Sequence, residues 1–257
     1  MDSFRRFRRL CRIALLVCGI TATVSCGTAK DNSVNVAVAA NFTEAAQEIA
    51  QLFERTHAQK AVLSFGSTGQ LFTQITQDAP FEVFLAADQE TPMKIIAQGF
   101  GGQDTLFTYA VGKLVLFSTT LDLSQGEATL RSGKFHKIAI ANPATAPYGA
   151  AAVEAMKALG LYDGLRGKIV QGNNVSQTFQ FVESSSAELG FVALSQVVGR
   201  EEKTVWIVPD NLYSPIRQDA VLLNRGADND AARTFMTFLK SPEAVKVIEK
   251  YGYKAAP

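Results

Sequence analysis

The chain has 257 residues, of which 47% are hydrophobic and 19% charged. This is a globular composition, with enough material for one large domain or two smaller ones. The 25 basic and 24 acidic residues give a formal charge of +1, which offers no support for a basic nucleic-acid-binding surface or an acidic tail.

The first twelve residues contain five arginines, and a short apolar run from Ile13 to about Val24 and then small residues follow them. This pattern is typical of a secretory signal and is too short to span a membrane. We predict a signal peptide over residues 1–29, cleaved after Ala29, with lipid attachment at Cys26 as the alternative. Either route takes the protein out of the cytoplasm.

Removal of residues 1–29 takes away five Arg and one Asp, which leaves 20 basic and 23 acidic residues and a formal charge of −3. All three cysteines lie in the removed segment. The exported body therefore has no disulfide, and no thiol for catalysis or metal binding.

From Ser33 onward, apolar runs alternate with segments of helical periodicity, which predicts an α/β fold of mixed, mainly parallel sheets covered by helices. The predicted strands carry the sequences VNVAVAA, AVLSF, FEVFLAA, TYAVGKLVLFST, KIAIAN, KIVQGN, LGFVALSQV, VWIVP and IRQDAVLLN. We predict helices after the first two strands, from about Ala150 to Leu159, from Val175, and over 229–240 and 242–250.

Two of these apolar stretches are long, one at 108–119 and one from Ile216. They bracket an inner series of strands and helices, so we predict two lobes joined by a double crossover. Lobe I is expected over 30–110 plus 220–257, and lobe II over 111–219.

Four junctions between an apolar run and the next helix are rich in small and hydroxyl residues: AANFTEA (39–45), FGSTGQL (65–71), NPATAPYGAA (142–151) and GNNVSQT (172–178). Helix N-termini present unpaired N–H groups and partial positive charge, and in open α/β sheets ligands lie beyond the carboxyl ends of the strands. The junctions therefore predict an anion site.

Each junction alone also fits plain turn chemistry. Asn41, Thr43, Ser67 and Asn174 are ordinary N-cap residues, and Tyr148 could pack on the surface of its helix. No junction contains Lys or Arg, so an anion would be held by neutral dipoles. A site of donors without acceptors favours a fully deprotonated oxyanion.

The motifs ANFT, SFGSTGQL, APFEVFLAAD (79–88), NPATAPYG and LGFVALSQ, in this order and spacing, resemble the periplasmic molybdate-binding proteins of ABC import systems. The likeness covers Val34 to Tyr253. It implies a type II periplasmic binding protein fold that closes over a tetrahedral oxyanion, molybdate or tungstate. It also implies a periplasmic monomer without cofactor that delivers its ligand to an inner-membrane ABC permease.

Carried over residue by residue, the resemblance implies ligand contacts from Asn41 with the backbone of Ala40, and from Thr68 with Ser67 adjacent. In lobe II it implies Tyr148 and the N–H of Val175. The metal is thus bound as an oxyanion, without direct protein-to-metal ligands.

Two positions depart from the pattern of other family members. Some members have a tyrosine within the stretch that here reads GFVAL, where this chain has Ala193. Tyr148 stands where those members have a small residue, so the chain resembles a subtype in which the tyrosine hydroxyl comes from another junction. Asn41 likewise stands where others have Ser. These changes leave the ranking of molybdate and tungstate open.

Two alternatives remain. The same fold could bind sulfate, phosphate or a small organic anion, although the missing acceptor and the missing Arg count against phosphate and carboxylates. An exported Ser or Thr hydrolase would need a base, and His57 and His136 lie in polar segments outside the junctions. We expect Asp88 near the cleft rim and Trp206 in the core.

Overall fold

The computed structural model describes residues 32–254. The predicted signal peptide, Cys26 and the cleavage position at Ala29 lie outside the described residues. Among the helices of residues 32–254, none has the length and apolar character needed to cross a membrane.

The described chain contains ten strands. In chain order they are β1 (Ser33–Ala39), β2 (Lys60–Gly66), β3 (Val83–Leu85), β4 (Phe107–Gly112), β5 (Leu114–Phe117), β6 (Ile138–Ala141), β7 (Ile169–Gly172), β8 (Leu189–Ala193), β9 (Val205–Ile207) and β10 (Ile216–Leu222).

The same part of the chain forms α-helices between and after these strands. They are α1 (Thr43–His57), α2 (Thr68–Thr76), α3 (Glu90–Ala97), α4 (Glu127–Ser132), α5 (Pro147–Ala158), α6 (Tyr162–Leu165), α7 (Val175–Glu183), α8 (Asp230–Phe238) and α9 (Pro242–Lys250). A short 3-10 helix, Ala40–Phe42, precedes α1.

The strands form two five-stranded sheets. The first has the order β2-β1-β3-β10-β4 and the second the order β7-β6-β8-β5-β9. In the first sheet β1 is parallel to β2 and β3, whereas β10 is antiparallel to β3 and β4. The second sheet repeats this arrangement, with β6 parallel to β7 and β8 and β5 antiparallel to β8 and β9.

Parallel and antiparallel pairings are thus equal in number, whereas the sequence analysis expected mainly parallel sheets. The difference arises where the chain passes between the sheets. A strand that enters a sheet from the other sheet, rather than after a covering helix, is free to run against its neighbours.

The apolar stretch 108–119, expected as one strand, is divided at Lys113. Residues before it belong to β4 in the first sheet, and residues after it belong to β5 in the second. The second passage runs from β9 to β10. The two passages are the double crossover that the sequence predicts.

Alternation along β3 shows how the first sheet is covered on both faces. Val83 and Leu85 contribute to a core that also contains Phe53 and Phe235, whose rings make an edge contact at 5.2 Å. Phe84, between them, points into a separate core cluster, as the two-residue period of a strand requires. A third cluster fills the second sheet and its helices.

Candidate functional site

The four junctions meet at one small cavity between the two sheets. They follow the carboxyl ends of β1, β2, β6 and β7, where a ligand is expected in an open α/β sheet. The cavity measures about 10 Å3. Its lining residues are Ala39, Ala40, Asn41, Ser67, Thr68, Ala87, Ala146, Pro147, Tyr148, Asn174 and Val175, which include all six predicted site residues.

Ser67 acts as the N-cap of α2. Its hydroxyl accepts from the Gln70 N–H at 3.4 Å, and the Gln70 side chain accepts from the Ser67 N–H at 3.2 Å, which completes a capping box. The capping interpretation is therefore confirmed for Ser67, and its N–H is not available to a ligand.

Thr68, the first residue of α2, has a different set of partners. Its hydroxyl oxygen accepts from the Ala87 N–H at 3.0 Å, so its hydrogen can be donated elsewhere. As an N-terminal helical residue, its N–H has no acceptor within the helix. Thr68 thus offers two donors at the cavity, and it is 2% exposed.

The side chain of Asn41 is committed to other protein groups. Its Nδ2 donates to Gln218 Oε1 at 2.8 Å and to the Tyr253 hydroxyl at 3.0 Å. Asn41 does not cap α1, and no side chain makes a cap hydrogen bond at that helix start. Ala40 and Asn41 open the short 3-10 helix, where backbone N–H groups lack intrahelical acceptors.

On the second sheet, α5 and α7 begin at the cavity. Val175 is the first residue of α7, and Asn174 caps this helix by accepting from the Gln177 N–H at 2.9 Å, which confirms its capping role. Pro147 opens α5 and lacks an N–H, so Tyr148 provides the first backbone donor of that helix.

Tyr148 is fully buried rather than lying on the surface of its helix, with 2% exposure. Its hydroxyl oxygen accepts from Gln218 Nε2 at 3.4 Å. Gly112 makes room for this pair, because a Cβ at that position would lie 2.0 Å from the hydroxyl oxygen and 2.7 Å from Nε2. Burial raises the pKa of Tyr148 well above its ordinary value, so the group remains a neutral hydroxyl.

Hydrogen bonds join the two sides of the cavity. The Gly69 N–H donates to the Thr145 carbonyl at 2.9 Å, and Ser176 Oγ donates to the Ala40 carbonyl at 3.1 Å. Ser195 Oγ donates to the Asn41 carbonyl at 2.8 Å. The junctions of the two sheets are therefore in direct contact around the cavity.

A larger cleft of about 490 Å3 adjoins the cavity and shares Ala87, Ala146 and Pro147 with it. Asp88 lies in its wall, as expected for a residue near the rim, and accepts a hydrogen bond from the Thr91 N–H in the first turn of α3 at 2.7 Å. Burial raises the pKa of Asp88. Because charged side chains line this cleft and not the cavity, the cavity has the chemistry of the predicted oxyanion site.

The two histidines lie away from the cavity. His57 stacks on Phe53 with ring centroids 5.0 Å apart, and the His136 backbone N–H donates to Glu188 at 3.0 Å. Trp206, expected in the core, is partly buried on β9 and packs against the core of the second sheet. Within residues 32–254, no cluster of three His, Cys, Asp or Glu residues could hold a metal ion.

A family model for bacterial extracellular solute-binding proteins matches residues 34–254. The chain belongs to this family. The relatives of this solute-binding protein include the molybdate-binding protein ModA of Rhodobacter capsulatus, 47% identical over 93% of this chain and 92% of that protein. ModA of Azotobacter vinelandii is also 47% identical, over 94% of this chain and 97% of the relative.

Among solved structures, the periplasmic molybdate-binding protein of Azotobacter vinelandii superposes on this solute-binding protein with a TM-score of 0.83. It has 38% sequence identity and covers 87% of this chain and 100% of its own. These relatives are binding proteins, so the hydrolase hypothesis is dropped.

Sequence reasoning missed the residues that support the cavity from behind. Gln218, Tyr253 and Tyr109 form a buried hydrogen-bonded group with Asn41, and Gly112 packs against Tyr148. Gln218 and Tyr253 lie 177 and 212 positions from Asn41. No local motif could have shown that these side chains meet.

Proposed function

We propose that this protein binds molybdate, and also tungstate, in the cavity between its two sheets, and delivers the anion to the permease of an ABC import system. The observation that carries the proposal is the set of neutral donors that faces the cavity. Relatives with 47% identity are molybdate-binding proteins, which supports the same cargo for this chain.

The proposed contacts come from the four junctions. The backbone N–H groups of Ala40 and Asn41 face the anion from the first sheet, together with the N–H and hydroxyl of Thr68. The hydroxyl of Tyr148 and the N–H of Val175 face it from the second. Hydrogen bonds to a charged partner contribute about 1.5–3 kcal/mol each, so several neutral donors can offset the cost of removing an oxyanion from water.

Asn41 therefore acts through its backbone in this proposal, because both contacts of its amide nitrogen are made inside the protein. Ser67 contributes as the cap that holds the first turn of α2, since its own N–H donates to Gln70. Both residues line the cavity while their side chains stabilise its frame.

Selectivity follows from the size and the polarity of the donor set. Donors fixed on separate helices cannot close around sulfate, which has shorter bonds, without losing contacts. Among the cavity-lining residues of the described chain, none is Asp, Glu, Lys or Arg. A phosphate that keeps a proton therefore finds no carboxylate to accept it.

Entry of the anion requires the two sides to separate, because a cavity of about 10 Å3 has room for about one water molecule at most. We propose that the two lobes rotate about the double crossover. The lobe boundaries expected at 110 and 220 move to Gly112 and Ile216, because β4 and β10 belong whole to the first sheet. Ligand contacts on both lobes would then favour the closed conformation. The closed monomer would present both lobes to the permease after export by the signal peptide.

Isothermal titration of the mature chain with molybdate, tungstate, sulfate and phosphate in one buffer tests the proposal. We expect tight one-to-one binding of molybdate and tungstate alone. Binding of sulfate as tight as that of molybdate would refute the size argument. Binding of sulfate or phosphate without molybdate would keep the fold and change the cargo.

A further inference from the structure

A buried chain of hydrogen bonds leads from the backbone of the first junction to the hydroxyl of Tyr148. Its members are the carbonyl of Asn41, the hydroxyl of Tyr253, the amide of Asn41 and the amide of Gln218. Gln218 is 0% exposed and Tyr253 is 5% exposed. Every polar atom in this chain must therefore be matched by a protein partner.

The direction of the chain is set at the Asn41 carbonyl. The Tyr253 hydroxyl has two acceptors, the Asn41 carbonyl at 2.7 Å and Ser195 Oγ at 3.0 Å, and Ser195 Oγ itself donates to that carbonyl. The single hydroxyl hydrogen of Tyr253 is donated to one of these two oxygens. In both cases the Tyr253 oxygen accepts from the Asn41 amide at 3.0 Å, which must therefore present Nδ2.

The orientation of Gln218 follows from that of Asn41. The same Nδ2 lies 2.8 Å from Gln218, so Gln218 must present Oε1 to it. The Tyr109 hydroxyl, at 3.1 Å, is a second donor to Oε1. With its oxygen held in this way, Gln218 directs Nε2 towards the Tyr148 hydroxyl at 3.4 Å.

Nε2 can only donate, so the Tyr148 oxygen accepts from it and the Tyr148 hydrogen must point in another direction. The register of β10 against β4 shifts between Gln218 and Asp219, which pair with Ala110 and Thr108 and leave Tyr109 of β4 without a paired residue on β10. Tyr109 is the residue whose hydroxyl donates to Gln218 Oε1.

We propose that Gln218 is a positioning residue that holds the Tyr148 hydroxyl as a hydrogen-bond donor towards the cavity, and so makes the site select fully deprotonated oxyanions. This inference rests on the proposed contact between Tyr148 and the anion. A tyrosine hydroxyl that is free to turn can accept a hydrogen from a protonated anion. A hydroxyl whose oxygen already accepts from Gln218 is directed to donate instead.

Titration calorimetry with molybdate on four forms tests this role: wild type, Gln218→Met, Tyr148→Phe and the double variant. Without the amide, Tyr148 loses its fixed orientation, so Gln218→Met should weaken molybdate binding about 5- to 50-fold. The double variant should bind no more weakly than Tyr148→Phe alone, because Gln218 acts through the hydroxyl.

Gln218→Glu provides a second, nearly isosteric variant in case the methionine disrupts folding. A carboxylate accepts from Tyr148 and turns its hydrogen away from the cavity, so its loss of affinity should equal or exceed that of Gln218→Met. Gln89→Met is the matched control. The Gln89 amide donates to Thr108 and Asp219 and not to Tyr148, so its affinity should match wild type.

The selectivity between molybdate and phosphate would not change if Gln218 had a purely structural role, so it provides a separate test. In neutral buffer, where phosphate carries at least one proton and molybdate carries none, the ratio of molybdate to phosphate affinity should fall in Gln218→Met. An unchanged ratio, or losses that add in the double variant, would overturn the inference. Loss of binding in Tyr148→Phe with none in either Gln218 variant would also overturn it and leave the proposed site intact. No loss in Tyr148→Phe would refute the proposed site itself.

Discussion

A substitution at Gly112 tests whether the Tyr148 hydroxyl lies within hydrogen-bonding distance of a bound anion. We consider Gly112→Ala, which adds one methyl group 2.0 Å from the hydroxyl oxygen and 3.1 Å from the ring carbon that bears it. The oxygen must retreat until it is at least 3.4 Å away, the lower limit of an ordinary contact. Gly112 has no left-handed backbone conformation, so the effect would come from the methyl group alone.

A hydroxyl displaced this far loses its hydrogen bond to an anion, because these bonds require heavy-atom distances of about 2.5–3.0 Å. We therefore expect molybdate binding to weaken by about 1.5–3 kcal/mol, or roughly 10- to 150-fold. Overpacking in the core should also cost about 1–3 kcal/mol of stability. Titration calorimetry measures the first effect and chemical denaturation the second.

Tyr148→Phe separates the two effects. In Gly112→Ala/Tyr148→Phe the closest clashing atom is gone while Gln218 Nε2, 2.7 Å from the added methyl group, remains. Part of the stability should therefore return while the affinity remains low. Gly164→Ala is the matched control, because a Cβ there meets nothing within 4 Å. Wild-type affinity in a folded Gly112→Ala protein would refute the placement of Tyr148 in the site.

Three further predictions concern other parts of the site. Thr68→Val removes the hydroxyl that accepts from the Ala87 N–H and is the proposed donor to the anion. Calorimetry should therefore show about 10- to 100-fold weaker molybdate binding, whereas Thr68→Ser should bind like wild type. Equal affinities in the two variants would count against a ligand contact from the Thr68 hydroxyl. Ser195→Ala removes a hydrogen bond to the Asn41 carbonyl that joins the two sides of the cavity. Stopped-flow kinetics should therefore show molybdate release that is about 2- to 10-fold faster. An unchanged release rate would mean that this hydrogen bond does not stabilise the closed conformation. Burial raises the pKa of Tyr109 well above its ordinary value of 10.0. The free energy of unfolding should therefore stay constant below about pH 10 and fall above it, where the unfolded chain loses a proton that the folded chain retains. Tyr109→Phe should make this decline shallower, and an identical slope in the variant would contradict the raised pKa of Tyr109.

Most strands, in their succession along the chain, and the four junctions could be predicted from sequence because they depend on local patterns. Ser67 and Asn174 show this well. Each follows an apolar run and precedes a helical periodicity, and each caps its helix as such residues commonly do. The family resemblance then brought together six residues that line one cavity.

The division of residues 108–119 into β4 and β5 could not be predicted in this way. Lys113 interrupts the apolar pattern, yet polar residues are common within strands whose other face is exposed. The decision to leave the first sheet depends on β10 and β8, which pair with β4 and β5 respectively and lie much later in the chain. Long-range pairing of this kind leaves no local signal.

The role of Asn41 was also beyond the sequence. The pattern identified a junction that reaches the cavity, and Asn41 is among the residues that line it. Its side chain is nevertheless drawn away by Gln218 and Tyr253. Which of two donors on one residue faces a ligand depends on the competing partners that the folded chain supplies.

The cavity lining carries dipoles in place of formal charges: within the described chain it consists of Ala, Pro, Ser, Thr, Asn, Tyr and Val. Dissolved ions screen exposed charges beyond about 8 Å at physiological ionic strength, and they screen buried groups much less. Backbone N–H groups fixed by helices should thus bind a dianion with almost the same affinity in concentrated salt as in dilute solution. A scavenger built in this way would keep its affinity when the salinity of the surrounding medium changes.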